Sequence, residues 1–210
     1  MKALVYTGLK TLEYRDVPNP DLKDDENLIS IRSVGICGSD MHAFLGHDDR
    51  RPAPLILGHE AAGDVIEGPL KGTRVTINPL VTCQKCKECK SNRSNLCGKR
   101  QIISMQPREG AFAEMVAMPS RNLVVVPDNI SFNDAALTEP LAVCWHAVRL
   151  GINALDTEIQ TANTLVIGGG AIGLGSALSL MAKGVKKIKI AEPNAKRRAF
   201  LQANTWFDIY

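Results

Sequence analysis

Four thiols crowded into fifteen residues, Cys83-x2-Cys86-x2-Cys89-x7-Cys97, constrain this chain more than any other feature. Zinc in structural sites takes a closed tetrahedral set of four soft ligands, and thiolates two residues apart can curl around one ion. Lys85, Lys87, Lys90 and Arg93 lie among the thiols, where they offset the excess negative charge of a four-thiolate centre. Three rival readings fit less well. The start, Met-Lys-Ala-Leu-Val-Tyr-Thr, reads as an immediate strand rather than a secretory signal, so a cytoplasmic setting with reduced thiols is expected instead of disulfides. A ferredoxin-type iron–sulfur run wants its fourth cysteine three residues on and then proline, whereas here the gap is seven and Gly98 follows. A nucleic-acid-binding ribbon would interleave aromatics with its charges, and this lobe has none.

Composition excludes several function classes. The net charge of +3 is too small to argue for nucleic acid or an anionic membrane as partner. Leu165 to Ala182 carries no charge, but Gly168, Gly169, Gly170, Gly173 and Gly175 bunch in its front half. A strand, a glycine turn and a buried helix explain it better than a membrane span.

The first half of the chain reads as short strands between turns. Ala3 to Tyr6, Asn27 to Val34, Ala61 to Glu67, Arg74 to Ile77, Phe112 to Ala117 and Leu123 to Val126 are the expected strands, a pattern that suits a barrel-like β domain. From about Asn133 the texture turns helical, with Pro140 in the first turn of a helix to about Leu150. After a polar connection (Asp156 to Thr164), strand Leu165 to Ile167 leads into the glycines and a helix to about Lys183. Strand Lys189 to Ala191 and a helix from about Asn194 to Asn204 follow. This β-α-β-α order opens a doubly wound parallel sheet. Two parallel strands alone leave such a sheet uncovered, so a fragment of a longer protein is expected rather than completion by a partner.

A second metal constellation surrounds Cys37-Gly38-Ser39-Asp40-Met41-His42 and Gly58-His59-Glu60. Cys37, His59 and a glutamate, either Glu60 or Glu139 at the later helix start, make a three-ligand N/S/O set with one position open, as catalytic zinc needs. Cys144 reads as a packed core thiol.

Gly168-x-Gly170-x-x-Gly173 follows a strand and opens a helix, where free N–H groups, including those of Ala171 and Ile172, suit a pyrophosphate. Glu192 ends the next strand at a distance suited to binding ribose hydroxyls, which favours NAD over NADP. Arg197 and Arg198 pull the other way, since arginine can receive a 2′-phosphate.

Together, Cys-Gly-Ser-Asp-x-His, Gly-His-Glu-x2-Gly, the four-cysteine lobe, Glu139-Pro140-Leu141 and the glycine fingerprint resemble the medium-chain zinc alcohol dehydrogenase family. The Glu-Pro-Leu segment is most similar to its sorbitol, butanediol and threonine dehydrogenase branch. The resemblance implies an α/β chain with a GroES-like zinc-binding domain over residues 1–150, its structural zinc lobe at about 80–100, and an incomplete Rossmann domain over 151–210. It implies one catalytic and one structural zinc, a secondary alcohol or polyol substrate, no membrane or nucleic acid, and a homo-oligomer. It further implies a proton relay through Ser39, the cofactor ribose and His42, Asp40 orienting the ligand histidine, and Arg197 along the adenine. One stretch departs from the family: Glu67-Gly68-Pro69-Leu70-Lys71-Gly72-Thr73 is shorter than usual and carries proline where glycine or alanine is common. A quinone-oxidoreductase-like reductase of the same fold and a zinc-binding fragment without activity are the rival readings; the zinc ligands argue against the first.

Overall fold

The computed structural model describes residues 1–155 and 158–210, so Asp156 and Thr157 of the expected polar connection lie outside the described residues. The chain divides into two compact units, Met1–Glu139 and Pro140–Tyr210.

The first unit is built from β1 (Lys2–Gly8), β2 (Thr11–Asp16), β3 (Glu26–Gly35), α1 (Gly38–Phe44), β4 (Leu55–Ile56), β5 (Glu60–Glu67), β6 (Arg74–Ile77) and β7 (Leu80–Val81). It continues with α2 (Lys87–Lys90), β8 (Gln101–Ile102), β9 (Met115–Pro119), β10 (Leu123–Val125) and α3 (Phe132–Ala136). Its main sheet has the order β10-β6-β5-β3-β9 and is antiparallel throughout. A second sheet, β2-β1-β4, and the short pair β7-β8 complete it.

The apolar residues of the main sheet meet, together with Ile103, in a core of Ile29, Val65, Val75, Ile77, Val116 and Met118, while those of β1 and β4 pack in separate clusters. Each such side chain contributes roughly 1.5–3 kcal/mol by leaving water. The helix α3 sits on this sheet through small residues. Ala135 and Ala136 pack with Ala62 and Val126, and Thr76 Oγ1 donates to the Ala135 carbonyl at 2.9 Å. Ser131 starts that helix by accepting the Asp134 N–H at 3.1 Å. The shortened loop after β5 is tied down by Asn27, a wholly buried side chain whose Oδ1 accepts the Leu70 N–H at 2.8 Å.

The second unit holds α4 (Thr138–Asn153), whose first two residues belong to the first unit, then β11 (Asn163–Ile167), α5 (Ala171–Ala182), β12 (Lys187–Ala191), α6 (Ala195–Asn204) and β13 (Asp208–Ile209). Its sheet is parallel, in the order β11-β12-β13. Ala177, Val185, Ile188, Ile190 and Leu201 form its core. Among the described residues no helix is long and apolar enough to cross a membrane, and the uncharged stretch from Leu165 divides into β11, a glycine turn and α5.

The structure corrects the strand reading at six strands. The sheet of the second unit has a third strand, β13, which two residues of alternating character do not announce. The strand expected from Phe112 begins only at Met115, because Phe112 and Ala113 pair with β1, and the Phe112 N–H with the Leu57 carbonyl just past β4, instead. β2 was not expected, although Leu12 and Tyr14 alternate with polar residues along it, and in the structure every one of its residues is exposed. β4, β7 and β8, each of two residues, are too short to leave a period.

Candidate metal and nucleotide sites

Cys37 stands at the N-cap of α1, just past the end of β3, and His59 and Glu60 stand at the start of β5. Because β3 and β5 are antiparallel neighbours, with Gly35 opposite Glu60, the two segments arrive at the same end of these strands. Asp40 then binds them together. Its Oδ2 accepts the Cys37 N–H at 3.0 Å and its Oδ1 accepts the Gly58 N–H at 3.1 Å. Gly58 has a φ of +90°, and a Cβ there would strike the Phe112 ring, so only glycine makes this turn without strain.

The result is a compact donor set. One ligand atom from each of Cys37, His59 and Glu60 lies within 4.8 Å of the others, with His59 and Glu60 buried. Glu139 is not in that set; it is half-buried in the first turn of α4. Burial, and then the nearby carboxylates of Glu60 and Asp40, raise its carboxyl above the ordinary range, while His59 works the other way.

The electrostatics of this set favour a cation. Hydrogen bonding to His59 does most to lower the Cys37 thiol, against the opposing effect of burial. Burial opposes ionisation of Asp40, but His59 and the N–H groups of Cys37 and Gly58 hold it below the usual carboxylate range. Burial also opposes a charge on His59, yet Asp40 and Cys37 outweigh it and lift the imidazole to about 10. Even so, His59 Nδ1 has no hydrogen-bond partner among the described residues, since Asp40 Oδ1 lies 3.6 Å away. Ser39 Oγ is likewise buried and unpartnered. Buried polar atoms are normally satisfied, so these two orphans beside a thiol and two carboxylates fit a site that receives an ion and a polar ligand.

The four-cysteine lobe lies between β7 and β8, whose pairing closes its base. Cys86 caps α2, Cys89 lies within it, and Cys97 is fully buried after the turn Ser94–Leu96. All four sulfurs lie within 4.8 Å of one another, with Sγ separations of 3.5 Å for Cys86–Cys89 and 4.0 Å for Cys83–Cys89. Tetrahedral zinc with bonds near 2.3 Å places its sulfurs about 3.8 Å apart, so the thiols already have the spacing a zinc ion needs. The N–H groups of Lys85 and Cys86 lower Cys83 to about 6. The Cys89 N–H would lower Cys86 too, but burial and the neighbouring thiols prevail and push it to about 12.

In the second unit, Gly168 has a φ of +97°, and Gly170 caps α5. A Cβ on Gly173 would collide with the Gly168 carbonyl, so helix and strand approach as closely as glycine allows. A Cβ on Gly170 would meet nothing within 4 Å, which leaves its face open. The first-turn N–H groups, including those of Ala171 and Ile172, have no intrahelical acceptor, which suits them to an anion. Glu192 is nearly wholly buried; its Oε2 accepts the Gly169 N–H at 2.7 Å and its Oε1 the Asn194 N–H at 2.8 Å. Those same N–H groups hold its carboxyl below the ordinary range. Arg197 is exposed, with Nη1 3.8 Å from Glu192 Oε2.

Residues 23–128 match the family described as the alcohol dehydrogenase GroES-like domain. The chain belongs to the medium-chain zinc alcohol dehydrogenase family. Within it, the chain is 35% identical over 202 residues to the sorbitol dehydrogenase of Bacillus subtilis, covering 91% of this chain and 56% of that protein. It is 38% identical over 190 residues to the L-galactonate-5-dehydrogenase of Escherichia coli K12, covering 88% of this chain and 53% of that protein. The crystal structure of galactitol-1-phosphate dehydrogenase from Escherichia coli superposes with a TM-score of 0.88 at 27% identity, over 100% of this chain and 61% of that one. The chain therefore spans a little over half the length of the family members it matches.

Two features of the sites were not legible in advance. The bond from Asp40 to Gly58 joins segments whose proximity only the sheet reveals. The anchoring of Glu192 to Gly169 likewise depends on the turn closing first.

Proposed function

We propose that this chain forms the zinc-holding part, and the front of the nucleotide-binding part, of a dehydrogenase that oxidises a secondary alcohol or polyol with NAD. The observation that carries the reading is the meeting of Cys37, His59 and Glu60 under the bridging carboxylate of Asp40. Cys37, His59 and Glu60 would hold a catalytic zinc, with Glu139 the alternative carboxylate, and Cys83, Cys86, Cys89 and Cys97 a structural one. When bound, zinc would supply a Lewis acid that lowers the pKa of an alcohol, and NAD would take up the hydride.

The chain's own residues supply the rest. Asp40 fixes the backbone of Cys37 and Gly58 and places negative charge beside the His59 ring, which orients it for an ion. Ser39 Oγ, buried and without a partner among the described residues, can take up the alcohol's proton as it hands its own hydroxyl proton on toward solvent. His42 lies three residues on along α1, exposed, where it can pass that proton to solvent. Gly168, Gly170 and Gly173 would admit the pyrophosphate at the start of α5, Glu192 the ribose hydroxyls, and Arg197 the adenine side. The carboxylate of Glu192 would repel a 2′-phosphate, so NAD is preferred to NADP. By family resemblance the working protein is a homo-oligomer, and the free state of all six cysteines suits a cytoplasmic setting.

The test is NADH formation by the full-length protein with a panel of secondary alcohols, polyols and threonine, alongside metal analysis. Turnover of at least one class that is lost on chelation and restored by zinc supports the proposal. Stoichiometric zinc with no nucleotide binding would favour a metal-binding chain without activity.

A further inference from the structure

Beside Glu192 stand two arginines that look, by charge alone, like a welcome for a phosphate. Their geometry separates them. Arg197 is exposed and only loosely near the acid. Arg198 is half-buried and turned inward: its Nη1 donates to the Glu192 carbonyl at 2.7 Å and to the Pro193 carbonyl at 2.6 Å. The same turn is held from its other side by Asn194, whose Oδ1 caps α6 by accepting the N–H groups of Lys196 and Arg197.

The acidic turn is thus fixed at each of its parts. The Glu192 carboxylate is tied to Gly169 in the glycine turn, the Glu192 and Pro193 carbonyls to Arg198, and the Asn194 side chain to α6. We propose that Arg198 is a positioning residue for cofactor choice, holding Glu192 where a ribose 2′-hydroxyl is accepted and a 2′-phosphate is refused. The inference rests on the nucleotide reading of the Gly168–Gly173 turn given above. Its physical basis is that a fixed carboxylate discriminates, whereas one free to rotate away makes room for a phosphate. In this account the cation of Arg198 is committed to two backbone carbonyls and does not serve the phosphate. A charge-assisted pair of this kind is strong enough to hold a turn.

The test is equilibrium binding of NADH and NADPH to the full-length protein and to its Arg198→Ala and Arg198→Lys variants, with exchange of the Gly169 amide followed in the nucleotide-free protein. With Arg198→Ala, NADH binding should weaken about tenfold while NADPH binding holds or improves, so the preference falls by about tenfold or more. The Gly169 amide, protected by Glu192, should exchange faster. Both bonds leave one nitrogen, Nη1, and Arg198→Lys keeps a charged nitrogen with several donors but on a shorter stem, so it should reach the two carbonyls less well and lose only part of the preference. Should the alanine variant not fold, the lysine variant carries the same comparison. A greater loss for NADPH than for NADH would make Arg198 a phosphate receiver and overturn the inference. So would an equal loss of both, which is what a merely structural residue gives. A wild-type protein that binds neither nucleotide would remove the nucleotide reading and this inference with it. A wild-type preference for NADH that survives both substitutions would remove this inference alone.

Discussion

Asp40 accepts the backbone N–H of Gly58, eighteen residues along the chain, at 3.1 Å. With its other oxygen on the Cys37 N–H, it is the joint between the two segments that carry the candidate zinc ligands. Replacing it by asparagine puts an NH2 group where one of those two donors needs an acceptor. Asp40→Asn is expected to fold with a loss of about 1–3 kcal/mol and to bind zinc at this site about 10–100-fold more weakly. Competition with a chromophoric chelator measures the affinity, and unchanged binding would show that the bridge does not serve the metal.

How much of this could be read beforehand depended on distance along the chain. The cysteine lobe was legible because all its ligands fall within one short segment, where spacing alone implies one ion. The glycine turn was legible for the same reason, with β11 before it and α5 after it. Asp40 was visible as a residue, but nothing local distinguishes an aspartate that finishes a helix turn from one that reaches Gly58. β2 does alternate Leu12 and Tyr14 with Thr11, Glu13 and Arg15, but so short and charged a run was passed over as a turn between longer apolar strands. Arg51, buried against Asp48 and the Ser104 carbonyl, was also passed over, since a run of Asp and Arg in a loop reads as solvated surface.

The lobe yields a second prediction. Cys97 is the buried member of the four, so Cys97→Ser should remove one zinc equivalent and leave the Cys37 site filled. Structural zinc in small lobes contributes on the order of 10 kcal/mol of binding, part of which is folding free energy. Thermal melts should therefore show a lower Tm, and a chelator should destabilise the parent protein more than the variant. A variant that keeps its full zinc and its Tm would exclude a four-thiolate site.

Acid stability should register the buried loop pair. Hydrogen bonds from Arg50 do most to depress the Asp48 carboxyl, to about 2, and Arg51 adds to them at 2.6 Å. A carboxyl lowered on folding stabilises the native state above its unfolded value, about 3.9, and that contribution is lost as pH falls toward 2. After allowance for solvent screening it amounts to about 1 kcal/mol. Asp48→Asn should thus be less stable than the parent at pH 5–7, with the difference shrinking between about pH 4 and pH 2. Urea melts across that range check it, and a difference that grows on acidification would reverse the sign.

The central claim is that Cys37, His59 and a glutamate hold a catalytic ion distinct from the ion in the lobe. Zinc content and NADH formation, measured together on the full-length protein and its Cys37→Ala variant, test it most directly. The account predicts two zinc per chain in the parent, one in the variant, and activity only in the parent. A parent with a single zinc that Cys37→Ala leaves in place, or a variant that keeps its activity, would contradict it.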